Sequence, residues 1–281
     1  ITNFGYPKLR ANLIVEFEDG TRKTISTDSK WKLNADGAIR SNNEYDGEIY
    51  DARKEFGAWT SAGFDDSRWE NAERVAIPEG TLRGAMAPNM KVLQQMAARS
   101  ITMHGDTAII DLGQNIAGWL KLKINGAAEG DSIKICFAET LTKDGRLYRE
   151  NLRHALSTDC YIANGKENGR WWTPTFVYHG FRYAQITGLK KPKKEDFIGE
   201  VVSDEMEKTG FFASSDSILN KVYHNAEWGI LANYKGMPVD CPQRDERQPW
   251  LGDRTRGCLG ESFIFDNNLL YNKWDRDICE A

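Results

Sequence analysis

The segment that organises this sequence lies near its C-terminal end. Residues 240–253 have the sequence DCPQRDERQPWLGD, which places four carboxylates, two arginines and one tryptophan close together. Pro242, Pro249 and Gly252 disfavour a regular helix, so we predict that residues 240–253, hereafter the acidic loop, form an irregular connection. Two interpretations of its charge are open. It is either a solvated surface on which Arg and Asp side chains pair, or a sugar-hydrolysing site in which one carboxylic acid donates a proton.

The sequence on either side of the acidic loop has helical periodicity. Upstream, apolar residues recur at helical spacing, at Ile218, Leu219, Val222, Tyr223, Ala226 and Ile230. Ser214 or Ser215 can cap this helix, which we expect to end near Gly236 and Pro238. Downstream, a second helical pattern begins at Leu259, Phe263 and Ile264, and it continues or has a successor at Leu269, Leu270, Trp274 and Ile278. Two or three helices cannot bury their apolar faces alone, so we expect the helical domain to be incomplete here.

The residues upstream of about position 205 have the period of β-strands. Leu13, Val15 and Phe17 alternate with their neighbours before a turn at Asp19 and Gly20. The apolar run Ile133, Ile135 and Phe137 alternates in the same way. Regular short strands with turn signals favour β-sandwiches over parallel βαβ units. We therefore predict a mainly β chain with a C-terminal α part, divided into a β-sandwich at residues 1–93, a second β-sandwich at 94–205 and a helical domain at 206–281.

Composition excludes several functional classes. Charged residues make up 28% of the chain and the net charge is −4, whereas a nucleic-acid or anionic-membrane partner would call for a basic surplus. The sequence contains no run of eighteen apolar residues, which is the length that a membrane-spanning helix needs. Neither the five cysteines nor the four histidines have metal-ligand spacing, and there is no phosphate-binding Gly-rich loop. We predict no metal site and no cofactor. The oxygen-rich group Asn42, Asn43, Glu44 and Asp46 could bind a hard cation, but a solvated loop is the simpler interpretation.

The acidic loop resembles the signature of bacterial α-L-rhamnosidases of glycoside hydrolase family 78. In that signature, Asp-Cys-Pro-x-Arg-x-Glu-Arg is followed by Trp-x-Gly-Asp. Upstream segments resemble further motifs of the family, at residues 45–53, 111–115, 151–153 and 178–183. The resemblance covers nearly the whole chain and implies that residues 206–281 begin an (α/α)6 barrel. It also implies inverting hydrolysis of terminal α-L-rhamnosides in rhamnose-containing glycosides or polysaccharides.

The resemblance implies roles for five residues of the acidic loop. Glu246 would be the general acid, and Asp240 and Asp253 would bind rhamnose hydroxyls. Arg244 would hydrogen-bond in the same pocket, and Trp250 would pack against the sugar. In the family the general base lies far downstream in the helical barrel, so we expect these residues alone to be inactive.

The chemistry of the loop is consistent with these roles. A general acid must keep its proton near neutral pH. Neighbouring carboxylates and an apolar ring would raise the pKa of Glu246, while Arg244 and Arg247 would lower it, and we predict that the raising influences prevail. Rhamnose is a deoxy sugar with a methyl group on one side and vicinal hydroxyls on the other. A pocket for it needs both an aromatic wall and carboxylate acceptors.

Two other functions fit the sequence. The β-sandwiches could bind or position carbohydrate, with aromatic candidates at Trp31, Trp59, Trp69, Trp119, Trp171 and Trp172. Exposure of two or more of these on one face would favour binding, and burial of all would make them structural. Another (α/α)6-barrel glycosidase, acting on glucosides, would share the acid chemistry and differ in its substrate.

Overall fold

The computed structural model describes residues 7–76 and 83–280, which group into two compact units. The first unit contains the described residues of 1–37 and 56–83, and the second contains those of 38–55 and 84–281. The second unit carries the large sheet, all the described helices and the acidic loop.

The strands and helices confirm the predicted fold class, mainly β with a C-terminal α part. In chain order, the strands are β1 (Asn12–Glu16), β2 (Arg22–Ser26), β3 (Lys32–Leu33), β4 (Ile39–Asn43), β5 (Gly47–Asp51), β6 (Glu70–Asn71), β7 (Met90–Ala97), β8 (Ser100–His104), β9 (Thr107–Ile124), β10 (Ser132–Ala138), β11 (Thr140–Leu141), β12 (Leu147–Tyr148), β13 (Thr158–Ile162), β14 (Arg170–Trp172), β15 (His179–Thr187) and β16 (Phe197–Asp204). The helices are α1 (Ser217–Ala232), α2 (Leu251–Ser262) and α3 (Asn268–Glu280). Among the described residues, no helix is long and apolar enough to cross a membrane.

The first unit contains two small antiparallel sheets. β1 pairs with β2, and β3 pairs with β6. The predicted turn at Asp19 and Gly20 is confirmed. Gly20 has a φ of 81°, which favours glycine, and Asp19 Oδ1 accepts the amide hydrogen of Thr21 at 2.8 Å. The hairpin therefore forms where the local turn chemistry predicted it.

The second unit is built on one ten-stranded sheet. Its main path runs β4-β5-β13-β10-β15-β9-β16-β7, and β8 and β14 also pair with β9. The 18-residue strand β9 pairs with different neighbours along its length. The predicted alternation in β10 is confirmed, because Ile133, Ile135 and Phe137 are completely buried in the core. They belong to a larger cluster of buried apolar side chains, which stabilises this unit.

The edge of the large sheet comes from residues that we assigned to the first predicted domain. β4 and β5 form an antiparallel pair, and β5 then pairs in parallel with β13. The described residues of 38–55 thus belong to the second unit, whereas the predicted boundary lies at residue 93. Periodicity shows that a strand exists but not which strand it pairs with. The turn between β4 and β5 is capped by Asn43 Oδ1, which accepts the amides of Tyr45 (2.8 Å) and Asp46 (3.2 Å).

The helical boundaries differ from the prediction at two places. The N-cap of α1 is Asp216, not Ser214 or Ser215, and its Oδ1 accepts the amides of Ile218 (2.7 Å) and Leu219 (3.4 Å). Ser214 Oγ accepts the amide hydrogen of Asp216 instead. The second difference is that α2 begins at Leu251, so Asp253 lies in the first turn of a helix. Proline is tolerated immediately before a helix, and a carboxylate is favourable in the first turn.

A buried polar network joins the three helices. Tyr234 Oη donates to Glu261 Oε2 at 2.6 Å, and Tyr271 Oη donates to the same oxygen at 2.6 Å. Arg254 pairs with Glu261 Oε1. Several apolar side chains on the helices remain exposed, including Ile218, Val222, Leu259 and Phe263. Polar contacts around Glu261 therefore contribute to the packing of the helices.

We predict that Tyr234→Phe destabilises the helical part by about 1.5–3 kcal/mol, because it removes a buried hydrogen bond to a charged group. The Tyr234 side chain is completely buried. Urea unfolding followed by far-ultraviolet circular dichroism would measure the loss. Tyr148→Phe is the matched control, since the Tyr148 hydroxyl makes only a long, exposed contact of 3.4 Å with Glu150. Equal midpoints for the two variants would contradict a stabilising role for the network.

Candidate active site

The acidic loop is closed at its base by Asp240. The Asp240 amide donates to the Gln248 carbonyl at 2.9 Å, and the Gln248 amide donates to Asp240 Oδ1 at 2.7 Å. The Asp240 side chain is only 6% exposed. One of its two oxygens is therefore used to hold the loop, which leaves Oδ2 as the oxygen directed to other partners.

Four of the five predicted site residues form one polar cluster. Arg244 Nε donates to Glu246 Oε2 at 2.9 Å, and Arg244 Nη2 donates to Asp240 Oδ2 at 3.4 Å. Trp250 Nε1 donates to Glu246 Oε1 at 3.0 Å. An additional guanidinium, that of Arg153, lies 3.1 Å from Glu246 Oε2. The cluster thus surrounds one carboxylate with three nitrogen donors.

These donors make the predicted direction of the Glu246 pKa wrong for this structure. The hydrogen bond from Arg244 lowers the pKa of Glu246 below its ordinary value, and the charge of Arg153 lowers it further. Desolvation acts in the opposite direction and is outweighed. Trp250 also stabilises the ionised form, because it offers its N–H to the carboxylate. The sequence shows that an aromatic ring and two arginines lie near Glu246 along the chain, but it does not show which of their atoms face the carboxyl group.

The fifth predicted residue, Asp253, lies in a concavity between α1 and α2. This open concavity has a volume of about 370 Å³ and is lined by Asp240 and Asp253. Its other lining residues come mainly from the two helices and are Ala226, Gly229, Ile230, Asn233, Arg254, Gly257 and Glu261. Asp253 is exposed. The structure therefore brings the two predicted hydroxyl-binding carboxylates to one space, with Asp240 shared between that space and the cluster around Glu246.

Arg247 anchors the acidic loop to the large sheet. Its side chain is buried, with 1% exposed, and its guanidinium lies over the rings of Tyr178 (4.9 Å) and Tyr45 (5.6 Å). The guanidinium donates to four backbone carbonyls, those of Glu44, Tyr178, Arg244 and Gln243. Buried arginine that satisfies several carbonyls fixes the path of the chain. Arg247 is thus a structural anchor of the loop.

Gly180 allows the acidic loop to approach the sheet. A Cβ atom at this position would lie 2.7 Å from Pro242 Cγ and 2.9 Å from Gln243 Cβ. Both distances are shorter than carbon atoms tolerate. Glycine in a strand often marks the close approach of another backbone segment. The first residues of β15 and the first residues of the acidic loop therefore pack directly on one another.

Sequence reasoning missed the contribution of two upstream connections, one between β4 and β5 and one between β12 and β13, to the site. Arg153 contacts Glu246, and the neighbouring His154 amide donates to Asp245 Oδ2 at 3.3 Å. Tyr45 Oη donates to the Glu246 carbonyl at 3.0 Å. Arg153 and Tyr45 both lie in upstream segments that resemble family motifs, which is the one sequence signal that points to them. Their contacts with the loop could not be inferred from spacing.

Three side chains of the acidic loop that could ligate a metal lie close together, those of Asp240, Cys241 and Glu246. One ligand atom from each lies within 4.8 Å of the others. The chemistry of the set does not favour a metal, because burial raises the pKa of the Cys241 thiol to about 11 and a thiol must lose its proton to ligate. Arg244 already contacts both carboxylates. We therefore assign no metal to these residues.

The aromatic candidates for carbohydrate binding are not all buried. Trp59 is 55% exposed and Trp31 is 41% exposed, both in the first unit. Trp171 in the second unit is 37% exposed, whereas Trp172 is buried. Trp59 also packs against Trp69, with ring centroids 6.3 Å apart. Carbohydrate binding by these residues stays a prediction.

Three family models match consecutive parts of the chain. Residues 1–94 match the alpha-L-rhamnosidase N-terminal domain. Residues 101–203 match the bacterial alpha-L-rhamnosidase concanavalin-like domain. Residues 207–281 match the bacterial alpha-L-rhamnosidase 6 hairpin glycosidase domain. The three matches together cover nearly the whole chain in this order.

Curated relatives and solved structures give the same result. An alpha-L-rhamnosidase of Formosa agariphila is 39% identical over 98% of this chain and 30% of its own length. One of Streptomyces avermitilis is 36% identical over 98% of this chain and 27% of its own length. The alpha-L-rhamnosidase structure from Dictyoglumus thermophilum has a TM-score of 0.94 at 39% identity, covering 98% of this chain and 31% of that one. The Streptomyces avermitilis enzyme complexed with L-rhamnose has a TM-score of 0.92 at 34% identity, covering 97% and 26%. The chain spans about 30% of the length of these relatives.

Proposed function

Because the chain belongs to the bacterial α-L-rhamnosidase family, we propose that it supplies the general acid and part of the sugar pocket of an inverting α-L-rhamnosidase. In this proposal Glu246 protonates the glycosidic oxygen of a terminal α-L-rhamnoside. Asp240 and Asp253 accept hydrogen bonds from the sugar hydroxyls, and Trp250 packs against the ring. The substrate is a rhamnose-containing glycoside or polysaccharide.

The observation that carries the proposal is the arrangement of carboxylates around the concavity. Asp240 and Asp253 line one open space, and Arg244 links Asp240 to Glu246. Carboxylate pairs accept hydrogen bonds from vicinal hydroxyls, and a neighbouring acid can donate to the oxygen that leaves. A solvated charged surface, the simpler interpretation of the loop, would not need the buried anchor that Arg247 provides.

Glu246 must carry a proton before it can act as the general acid. In this structure its neighbours favour the ionised form. The Glu246 side chain is 23% exposed. A bound sugar would exclude water from its carboxyl group, and desolvation raises the pKa of a carboxyl group. We infer that substrate binding raises the pKa of Glu246, whereas the neighbouring side chains alone lower it.

The proposal places the general base outside residues 1–281. Inverting hydrolysis needs a second carboxylate on the opposite face of the sugar, roughly 6.5–9.5 Å from the acid. Asp240, Asp245 and Asp253 are all close to Glu246 in sequence, and Asp240 already closes the loop. We therefore propose that the base that activates water from the far side comes from another part of the enzyme.

A hybrid enzyme tests the proposal. In it, residues 1–281 replace the matching segment of the Formosa agariphila relative, which supplies the remaining helical domain. We expect the hybrid enzyme to release rhamnose from an aryl α-L-rhamnoside and to leave the corresponding α-glucoside intact. We expect the 281-residue chain alone to show no appreciable turnover, because an inverting glycosidase without its base is severely slowed.

Each outcome separates two hypotheses. Turnover by the chain alone at the rate of the hybrid enzyme would refute the placement of the base. Preference of the hybrid enzyme for the glucoside would favour the alternative of a different (α/α)6-barrel glycosidase. Circular dichroism of both proteins controls for misfolding.

A further inference from the structure

We propose that Arg153 is a positioning residue, which orients the Glu246 carboxylate from the segment between β12 and β13 and directs the transferable proton to Oε1. This inference rests on the proposed function, because it concerns the same acid. Its support is the placement of the donors on the two carboxylate oxygens.

The two oxygens of Glu246 have different partners. Oε2 lies 2.9 Å from Arg244 Nε and 3.1 Å from an Arg153 terminal nitrogen. Oε1 accepts one hydrogen bond, from Trp250 Nε1 at 3.0 Å. A carboxylate oxygen has two lone-pair positions. The hydrogen bond from Arg244 and the charge of Arg153 both lie at Oε2, which favours negative charge on that oxygen, whereas Oε1 keeps one lone-pair position for a proton.

The segment that carries Arg153 is held in a strained conformation. Arg153 has a φ of 57°, which is uncommon for a residue with a side chain. It directly follows the short helical turn Glu150–Leu152, and Leu152 is buried with 1% exposed. Backbone strain of this kind persists only where the surroundings fix it and often marks a functional site. The segment is therefore built to present Arg153 in one direction.

That direction is toward the acidic loop. The His154 amide donates to Asp245 Oδ2, so the segment contacts two consecutive loop residues. Tyr45, in the turn between β4 and β5, donates its hydroxyl hydrogen to the Glu246 carbonyl. The backbone of Glu246 is thus fixed independently, and the freedom that remains is rotation of its side chain. Arg153 and Arg244 both contact the Glu246 carboxylate and limit that rotation, Arg153 from the segment between β12 and β13 and Arg244 from within the loop.

An alternative explanation is a surface ion pair of little consequence. The Arg153 side chain is 52% exposed, and exposed ion pairs contribute little to stability. A positioning role does not require a stability contribution, since misplacing a reacting group by about 1 Å can lower a rate about 100-fold. The two explanations therefore differ in what they predict for catalysis and for titration.

The first experiment uses the 281-residue chain and does not depend on activity. Carbon-13 labelling of the glutamate carboxyl groups allows the titration of Glu246 to be followed by NMR, with Glu246→Gln identifying its signal. In Arg153→Met we expect the Glu246 midpoint to move to higher pH by about half a pH unit. Arg146→Met is the matched control, because Arg146 is exposed and pairs with the exposed Asp144. An unchanged midpoint in Arg153→Met would overturn the proposal.

The second experiment uses the hybrid enzyme with an unactivated rhamnoside. In Arg153→Met we expect kcat to fall about 10-fold with KM nearly unchanged, since the loss concerns the transition state. In the pH profile of kcat, the basic limb should move to higher pH together with the titration midpoint of Glu246, because the general acid must be protonated to act. Arg153→Lys should recover part of the rate. A variant that lowers only stability would shift neither the limb nor the midpoint.

The two proposals fail in different ways. If Glu246→Gln leaves turnover intact, the assignment of the acid fails, whatever Arg153 does. If Glu246→Gln abolishes turnover while Arg153→Met leaves the titration and kcat unchanged, only the role of Arg153 is refuted.

Discussion

Glu246→Gln is expected to lower hydrolysis of an unactivated rhamnoside by the hybrid enzyme about 100- to 10,000-fold. Glutamine keeps the shape of the side chain, but its single carbonyl oxygen can accept from only one of Arg244 and Trp250, and it carries no transferable proton. The glycosidic oxygen then leaves as a poor, unprotonated leaving group. Initial rates of rhamnose release, measured at saturating substrate, give the loss in kcat.

The leaving group tells a missing acid from general damage. An aryl rhamnoside with a good leaving group needs less protonation, so its hydrolysis should fall much less in Glu246→Gln. A misfolded or displaced loop would lower both rates together. Glu205→Gln is the control for removing a carboxylate, because Glu205 is exposed and pairs with the exposed Lys91. Parental turnover on the unactivated substrate would remove Glu246 from the role of acid.

Arg247→Met is expected to destabilise the second unit by about 3–5 kcal/mol, since a buried and hydrogen-bonded charged residue is removed. The guanidinium satisfies four backbone carbonyls, and its loss leaves buried acceptors without a donor. Lysine is not an adequate replacement, because it lacks the planar fork that reaches several acceptors. Urea unfolding of the chain would measure the change.

Hydrogen exchange of the acidic loop gives a second, local measurement. We expect the Gln248 amide, which donates to Asp240 Oδ1, to exchange faster in Arg247→Met because the loop loses its attachment to the sheet. Arg256→Met on the exposed face of α2 is the matched control. A loss of less than about 1 kcal/mol in Arg247→Met, within the range of an ordinary surface substitution, would contradict the anchoring role.

The pH dependence of Glu246 illustrates what a sequence leaves open. Its neighbours in the chain include carboxylates, cations and a ring, and we weighed them toward a raised pKa. The structure has Arg244 between Glu246 and Asp240, and it turns the N–H of Trp250 to the acid. The direction of the shift depends on which atoms face the carboxyl, and distances of a few ångströms decide this.

The sequence by itself determined what depends on near neighbours along the chain. Alternating apolar residues predicted buried strands such as β10, and helical spacing predicted α1. Proline placement kept residues 242–249 out of regular helix. These features follow from backbone periodicity and local turn chemistry, which act over a few residues. The resemblance of the acidic loop to the family signature also selected Glu246, Asp240, Arg244, Trp250 and Asp253 as the residues to test.

Only the tertiary structure decided how the acidic loop is held and what surrounds its acid. Tyr45 and Glu246 are 201 positions apart in sequence and 3.0 Å apart in space. Arg153 reaches the Glu246 carboxylate from the segment between β12 and β13, and β4 and β5 join the second unit. Such contacts depend on strand pairing and on the packing of distant segments, which local spacing does not encode. The candidate residues of the acidic loop were therefore visible in the sequence, and their tertiary contacts were not.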